Sequence, residues 1–329
     1  MNILVTGGAG YIGSHTVRAL IHAGFTPIVV DNFSRGHRSS IPKGVKVIEL
    51  DIADSKLISV MKDNNIKGIM HFAAHSQVGE SMINPSIYYE NNVVGSYQLI
   101  ESARQAGVQH FVFSSTAAVY GEPEEVPIVE GAKLQPTNVY GRTKLMIEEM
   151  LHDYSSIYGS TYVALRYFNA AGADESGDIG EDHSPETHLI PLVLEAALRK
   201  RPHITVFGTD YDTIDGTCIR DYIHVTDLAS AHVLAMNYLI NGGESKAFNL
   251  GSGNGFSVKD IIETAKKVTG IDIPVVYGER RAGDPSTLIA SSEEIKNILG
   301  WNPQHSVLSQ IIGDAWHWHK SHLMGYDDK

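Results

Sequence analysis

The chain opens Met1-Asn2-Ile3-Leu4-Val5-Thr6, a short apolar run that leads directly into Gly7, Gly10 and Gly13. That order predicts a buried strand, a glycine turn and a helix start, the first unit of a dinucleotide-binding βαβ fold. Glycine lets a backbone approach a pyrophosphate closely, and the positive end of the following helix faces the anion. A glycine triplet alone is a weak signal, because any tight strand-to-helix turn can use it. Asp31 strengthens it: it stands 18 residues beyond Gly13 and directly after Val29-Val30. A carboxylate there can accept hydrogen bonds from ribose hydroxyls and repels a 2′-phosphate, so NAD is expected rather than NADP. Arg35 is the nearby group that could offset such a phosphate.

Apolar runs at 26–30, 45–49, 68–71, 110–114 and 163–165 lack clean alternation, as parallel strands covered on both faces do. Helical patterns lie at 11–24, 54–64, 86–106 and 138–158. The alternation predicts an α/β fold with a doubly wound, mostly parallel Rossmann sheet. Past residue 170 the character changes. The stretch Gly172–His188, acidic and glycine-containing, has no strong period and reads as a loop at the entrance to a second region. Helices are expected at 188–200, 226–240, 257–269 and 306–320, and strands at 204–207, 246–250 and 273–277. Residues 1–169 are assigned mainly to the cofactor-binding domain. Residues 170–329 are assigned mainly to a smaller mixed α/β substrate-binding domain, with chain crossovers between the two.

The length of 329 residues allows a large buried core. A net charge of −12 argues against a nucleic-acid surface, which needs a basic footprint. It leaves room for an anionic small molecule gripped by a few local arginines. The single cysteine, Cys218, cannot form an internal disulfide and suits a reducing compartment. There is no basic leader segment and no apolar stretch near the ~20 residues of a membrane span. A cytoplasmic location is expected, with no membrane partner. The histidines of Ala315-Trp-His-Trp-His-Lys320 are read as packing or surface groups, and no metal is expected.

Tyr140 and Lys144 are four residues apart inside the 138–158 helix pattern, which puts them on one face. A free phenol, with a pKa near ~10, is a poor base at neutral pH. A neighbouring ammonium favours its ionised form, and an oxidised nicotinamide would add positive charge. Such a pair can remove a hydroxyl proton as a hydride leaves the same carbon. On its own the pair also describes a solvated helix face. Ser114, Ser115 and Thr116 follow the 110–114 strand at the expected carboxyl edge of the sheet. Any of the three hydroxyls can bond the reacting oxygen or cap nearby backbone.

Further candidates lie at strand ends. Asp51-Ile52 can bracket an adenine, or form a turn beside a packed isoleucine. The small residues of Phe72-Ala73-Ala74 would let a dinucleotide pass. Asn169 can bond a diphosphate or sugar, or serve a turn. Arg220 and Arg281 can grip phosphates through paired donors, or form ion pairs. Asp284 can hold a ribose, or neutralise an arginine. Tyr167 and Phe168 line or support the pocket.

The ordered series TGGAGYIGSH, HFAAHSQVGES, SSTAAVYG, YGRTK, LRYFNAAGA, GTCIRDYIHVTDLA, FNLGSGNGFSV and RRAGDP spans nearly the whole chain. It resembles the extended short-chain dehydrogenase/reductases and, more narrowly, the UDP-glucose 4-epimerase family. The resemblance implies retained NAD, a UDP-hexose substrate, a homodimer, and reversible epimerisation of UDP-glucose and UDP-galactose at C4 through a transient 4-keto sugar. It places the catalytic triad on Thr116, Tyr140 and Lys144. Cofactor contacts fall on Gly7, Gly10, Tyr11, Ile12, Gly13, Asp31, Asn32, Asp51, Ile52, Phe72, Ala73, Ala74, Tyr140, Lys144 and Phe168. Substrate contacts fall on Thr116, Tyr140, Asn169, Arg220, Arg281, Asp284 and Leu288. Ser76 stands where some bacterial members carry lysine, which bears on how tightly NAD is kept. Related dehydratases follow the threonine with Asp-Glu, whereas here Ala117 and Ala118 cannot transfer protons. Leu288 matches a gate beside the sugar, where tyrosine restricts the pocket to plain hexoses and smaller residues admit an N-acetyl group. Leucine is intermediate, so UDP-N-acetylhexosamine turnover is the alternative activity. Another nucleotide-sugar oxidoreductase is the more distant one.

Overall fold

Ile3 and Val5 face one buried layer and Leu4 the other, as the two-residue period of a strand covered on both sides requires. The same split recurs at Val29 against Ile28 and Val30, and at Val112 against Phe111 and Phe113. The computed structural model describes residues 1–281 and 284–328. Its strands β1 (Asn2–Thr6), β2 (Thr26–Asp31), β3 (Lys46–Glu49), β4 (Ile66–His71), β5 (His110–Ser114) and β6 (Thr161–Arg166) are all parallel neighbours in one sheet. Beyond them lie β7 (Asn169–Ala171), β8 (Ile204–Phe207), β9 (Ile219–Arg220), β10 (Tyr222–His224), β11 (Lys246–Asn249), β12 (Phe256–Ser257), β13 (Val275–Gly278) and β14 (Thr287–Leu288). The seven-stranded sheet has the order β11-β6-β5-β4-β1-β2-β3, so the chain reverses direction across the sheet between β1 and β4. Ligands of open α/β sheets bind outside the carboxyl ends of the strands at such a reversal.

Helices cover both faces. α1 (Tyr11–His22) lies on the Ile3/Val5 side, where α8 (Val225–Ile240) packs against it. α2 (Leu57–Asp63), α5 (Ser96–Ala106) and α6 (Val139–Tyr158) cover the Leu4 side. Between α2 and α5 run α3 (Val78–Ile83) and α4 (Pro85–Tyr88). The expected helix over 86–106 is therefore not one uniform helix: Tyr89–Gly95 forms a widened π turn before α5. In that turn buried Asn92 accepts the His75 amide at 2.8 Å and donates to the His75 carbonyl at 3.0 Å and the Thr143 hydroxyl at 3.2 Å. It thereby ties the end of β4 to α6.

A second core holds α7 (Leu189–Ala197), α9 (Val258–Thr269) and α11 (Leu308–Ser321) against the parallel pair β8–β13. α10 (Glu293–Leu299) instead sends Ile295 into the Ile3/Val5 layer. The expected strand at 246–250 belongs to the central sheet, as β11 beside β6. Its Phe248 is fully buried there, and nothing in the local sequence distinguishes that edge from the second core. Among the described residues no helix is long and apolar enough to cross a membrane.

Candidate active site

The glycine turn is shaped by contacts that leave no space for a side chain. Gly7 has φ +72°, and a Cβ there would stand 2.5 Å from the Ala73 amide nitrogen. A Cβ on Gly13 would stand 2.1 Å from the Gly7 carbonyl oxygen. The first contact brings the β4 exit, Phe72-Ala73-Ala74, against the turn after β1, and the second seats α1 on that turn. Gly10 caps α1, whose first residues are Tyr11 and Ile12. The Tyr11 hydroxyl donates to the Gly172 carbonyl at 2.6 Å, while Ile12 packs on the core.

Asp31 ends β2 and serves the same loop. One carboxylate oxygen accepts the Ala9 amide at 3.0 Å, and the other accepts the Phe33 amide at 2.9 Å. Burial pushes its pKa up, against the opposing pull of those two amides. Asn32 donates to Asp51 at 2.8 Å, joining the ends of β2 and β3. Ile52 is buried beneath Gly95 and belongs to the core. Arg35 points away to the Ser184 carbonyl at 2.9 Å and to Glu80 at 3.3 Å, and so is committed to other partners than a ribose phosphate. The turn, the α1 N-terminus and the Asp31 carboxylate form a cradle that fits a dinucleotide with a free 2′-hydroxyl.

The second half of the site grows from the ends of β5 and β6. The Ser115 amide donates to Leu165 O and the Ala117 amide to Tyr167 O, both at 2.9 Å, so the ladder runs on past both strands. This sets Thr116 level with Tyr167. A 3₁₀ turn, Ala117–Tyr120, starts at Thr116, whose hydroxyl oxygen accepts the Ala118 amide at 3.1 Å. α6 begins nearby, with Asn138 capping it by accepting the Gly141 amide at 2.8 Å. Tyr140 stands beside Thr116, whose side chain works to hold the phenol's pKa down. Lys144, one turn on, is 2% exposed and donates to the Ser114 carbonyl at 2.7 Å. Its ammonium lies 5.8 Å from the centre of the Tyr140 ring.

Electrostatics depart from the simple expectation of a phenol acidified by its lysine. Burial pushes Tyr140 up to about 12, only partly opposed by the Thr116 hydrogen bond. Burial also pushes Lys144 down to about 7, although Glu148 opposes it. In a low-dielectric pocket both charged forms lose hydration, and that loss outweighs the help from Thr116 and Glu148.

Behind the triad lies a buried network not singled out in the sequence. Ser115 donates to Glu148, Glu148 pairs with Arg166 at 2.6 Å, and Arg166 donates to the Tyr120 hydroxyl at 2.8 Å. Tyr120 in turn donates to Asn249 on β11 at 2.7 Å. Its sequence signal is the series Tyr140, Lys144, Glu148, three polar residues at successive four-residue steps on a face turned inward.

Substrate-side candidates lie on β7, β9, β14 and the segment after β13. Arg220 pairs with Asp284, so the arginine-neutralising alternative for Asp284 is realised in the structure. Arg220 also donates to the Ile219 carbonyl at 2.7 Å. Asn169 donates to the Asp221 carbonyl at 2.9 Å, leaving its amide oxygen available. Arg281 lies 4.2 Å over the Phe207 ring. An open cleft of about 620 Å³ is lined by Arg281, Asp284, Glu122 and Thr287 among others. Leu288, paired with Arg220 in β14–β9, packs with Phe168 against the Ala117–Tyr120 turn. The catalytic candidates and the Leu288 gate candidate therefore share one wall.

Glycine cradle, a carboxylate ending β2 and the Thr-Tyr-Lys constellation define the NAD-dependent short-chain dehydrogenase/reductase class. Residues 3–251 match the NAD dependent epimerase/dehydratase family, and the chain belongs to that family. Over 327 residues it is 53% identical to a UDP-glucose 4-epimerase of Halalkalibacterium halodurans, covering 99% of this chain and 98% of the relative. A crystal structure of UDP-glucose 4-epimerase superposes with a TM-score of 0.98 at 52% identity, covering 99% of this chain and 100% of the other. The UDP-glucose 4-epimerase from Brucella ovis, solved in complex with NAD, gives 0.94 at 48% identity, with 96% and 98% covered.

Proposed function

We propose that Thr116, Tyr140 and Lys144 carry the reaction of this NAD-dependent epimerase: reversible inversion at C4 that interconverts UDP-glucose and UDP-galactose through a transient 4-keto sugar. The observation that carries the assignment is the placing of Tyr140 beside Thr116, whose side chain works to hold its pKa down, one helical turn from the buried Lys144 ammonium.

Gly7, Gly10, Tyr11, Ile12 and Gly13 hold the pyrophosphate at the start of α1. Asp31 and Asn32 hold the adenosine ribose, and Asp51 and Ile52 border the adenine. Phe72, Ala73, Ala74 and Phe168 flank the remaining path of NAD, which ends at Tyr140 and Lys144. When bound, NAD⁺ supplies the two-electron acceptor and donor that carries C4 to the ketone level and back, together with a positive charge. Tyr140 takes the C4 hydroxyl proton, directly or through Thr116, and returns it to the same oxygen when C4 is reduced from its opposite face. Lys144 favours the phenolate and positions the nicotinamide ribose. Ala117 and Ala118 offer no proton donor or acceptor that would divert the ketone to dehydration.

Asn169, Arg220 and Arg281 hold the diphosphate, and Asp284 borders the nucleotide ribose. The flat keto sugar turns about the diphosphate linkage between the two half-reactions. Leu288 borders that movement and leaves room beyond what tyrosine would, which favours UDP-N-acetylhexosamine as a second substrate. Absence of N-acetyl turnover at enzyme levels that bring the plain hexoses to equilibrium rejects that second substrate.

Residues 1–169 act mainly as the cofactor domain, joined by α8 and β11, and the remainder of 170–329 mainly holds the nucleotide sugar. α5 and α6 carry exposed Tyr97, Ile157 and Tyr158, an apolar face suited to a second copy of the chain in a homodimer.

Incubation with UDP-galactose and no added cofactor tests the activity. Chromatography should show UDP-glucose with no stoichiometric release of NADH. Accumulation of an oxidised sugar with matching NADH would assign a net oxidoreductase instead.

A further inference from the structure

The loop between β7 and α7 contains Glu181, His183, Glu186 and His188, with the spacing Glu-x-His-x-x-Glu-x-His. These side chains stand apart from Thr116, Tyr140 and Lys144 and have no role in the chemistry above. Each offers one ligand atom, and the four atoms lie within 4.8 Å of one another. The His188 Nδ1 is 2.5 Å and the His183 Nδ1 3.1 Å from the same oxygen of Glu181. Glu186 lies 3.8 Å from His183 and 3.6 Å from His188. Four ligands held tetrahedrally at the ~2.0–2.1 Å bonds of zinc stand about 3.3 Å from each other. The observed separations bracket that figure.

We propose that Glu181, His183, Glu186 and His188 form a tetrahedral site for a first-row divalent cation, Zn²⁺ by ligand type, that clamps this loop at the rim of the cofactor crevice. The two imidazoles are borderline donors that favour zinc over the oxygen-seeking Mg²⁺ and Ca²⁺, and zinc also accepts the two carboxylates.

The surroundings hold the donors in place. The Glu181 side chain is 3% exposed and that of Glu186 8%. Glu186 accepts the backbone amides of Thr187 at 2.6 Å and His188 at 2.8 Å, which fixes its carboxylate. Trp318 of α11 donates to the Glu181 carbonyl at 3.1 Å, anchoring that residue from the second core. Oriented carboxylates and a fixed backbone are what a metal centre needs outside its ligands.

The residues between the four donors reach the cofactor side. Arg35, after β2, donates to the Ser184 carbonyl, and Gln77, after β4, donates to the Pro185 carbonyl, both at 2.9 Å. The ring of Tyr11, in the first turn of α1, stands edge-on to His183 at 6.3 Å. A cation on the four donors would cross-link the loop that these contacts join to the rim. The chain contributes the whole cluster from eight consecutive residues, 181–188, so the ion needs no partner subunit. The expectation of no metal, drawn from the C-terminal histidines, overlooked this loop because its acidic residues mask the histidine spacing.

The test uses untagged full-length protein stripped with a chelator and titrated with Zn²⁺ against a chromophoric competitor. The parent should bind one tight equivalent and melt several degrees higher with the ion present. His183→Ala/His188→Ala should bind Zn²⁺ at least about 100-fold more weakly and lose the melting shift, while keeping epimerase turnover as evidence of folding. Equal affinity in parent and variant, or no tight equivalent in the parent, overturns the site. A second readout needs no variant: Co²⁺ added to the stripped parent should give the visible bands of a tetrahedral ion. A spectrum without them contradicts the proposed geometry.

Discussion

Gly141 lies so close to Ala118 that a Cβ on Gly141 would stand 2.6 Å from the Ala118 carbonyl oxygen. This approach seats the first turn of α6 on the turn after Thr116, and so brings Tyr140 up beside Thr116. Gly141→Ala should push the two apart while leaving the central sheet intact. Turnover should fall at least about tenfold, because small misplacements of reacting groups are costly. Steady-state rates beside a melting curve check it; unchanged turnover in a folded variant removes this contact from the account.

Tyr140→Phe keeps the ring and removes the proton-transferring oxygen. Positioned general acid–base groups contribute roughly 10²–10⁴-fold, so turnover should drop by about that factor. Binding of UDP, read by calorimetry, should stay close to the parent. Near-parent turnover contradicts the role of the phenol.

Lys144 provides a pH test. Its ordinary value is 10.5 and burial lowers it to about 7, so between those limits the unfolded chain binds more protons than the folded one. This group's contribution to stability therefore rises with pH from about 7 to 10.5. Below that window the full burial penalty is present. Lys144→Met removes the penalty. In cofactor-stripped protein, the melting temperature of the variant relative to the parent should be highest below pH 7 and decline toward pH 10. A difference that does not vary with pH argues against a strongly lowered lysine.

The Glu148–Arg166 pair is buried on both sides, with side chains 7% and 6% exposed. Glu148→Leu alone leaves a buried guanidinium without its partner, and should cost about 3–5 kcal/mol. Glu148→Leu/Arg166→Met should recover much of that loss. Urea denaturation of the two variants separates these outcomes; a double variant as unstable as the single would mean that the pair itself, rather than its charge balance, supports the site.

Much of this was legible in the chain because it is local. The Gly7-Gly10-Gly13 turn, the end of β2 at Asp31 and the Tyr140–Lys144 face each follow from backbone sterics or helix spacing within a few residues. The family motifs carried the choice of Thr116, since Ser114 and Ser115 offer the same chemistry. What could not be read depends on distant partners. Phe248 is an ordinary apolar residue until β11 docks beside β6. The π turn at Asn92 answers to His75 and Thr143, 17 and 51 residues away. The value at Tyr140 is set by enclosure, which spacing to one lysine does not report. Arg220 and Asp284 are 64 residues apart, and their pairing emerges only when β9 meets the segment after β13.

The central claim is that one sugar carbon gives up a hydride and recovers the same one. UDP-galactose carrying deuterium at C4, converted by the purified enzyme and examined by mass spectrometry and NMR, tests it most directly. The account predicts UDP-glucose with the deuterium retained at C4. Loss of the label to solvent would contradict it.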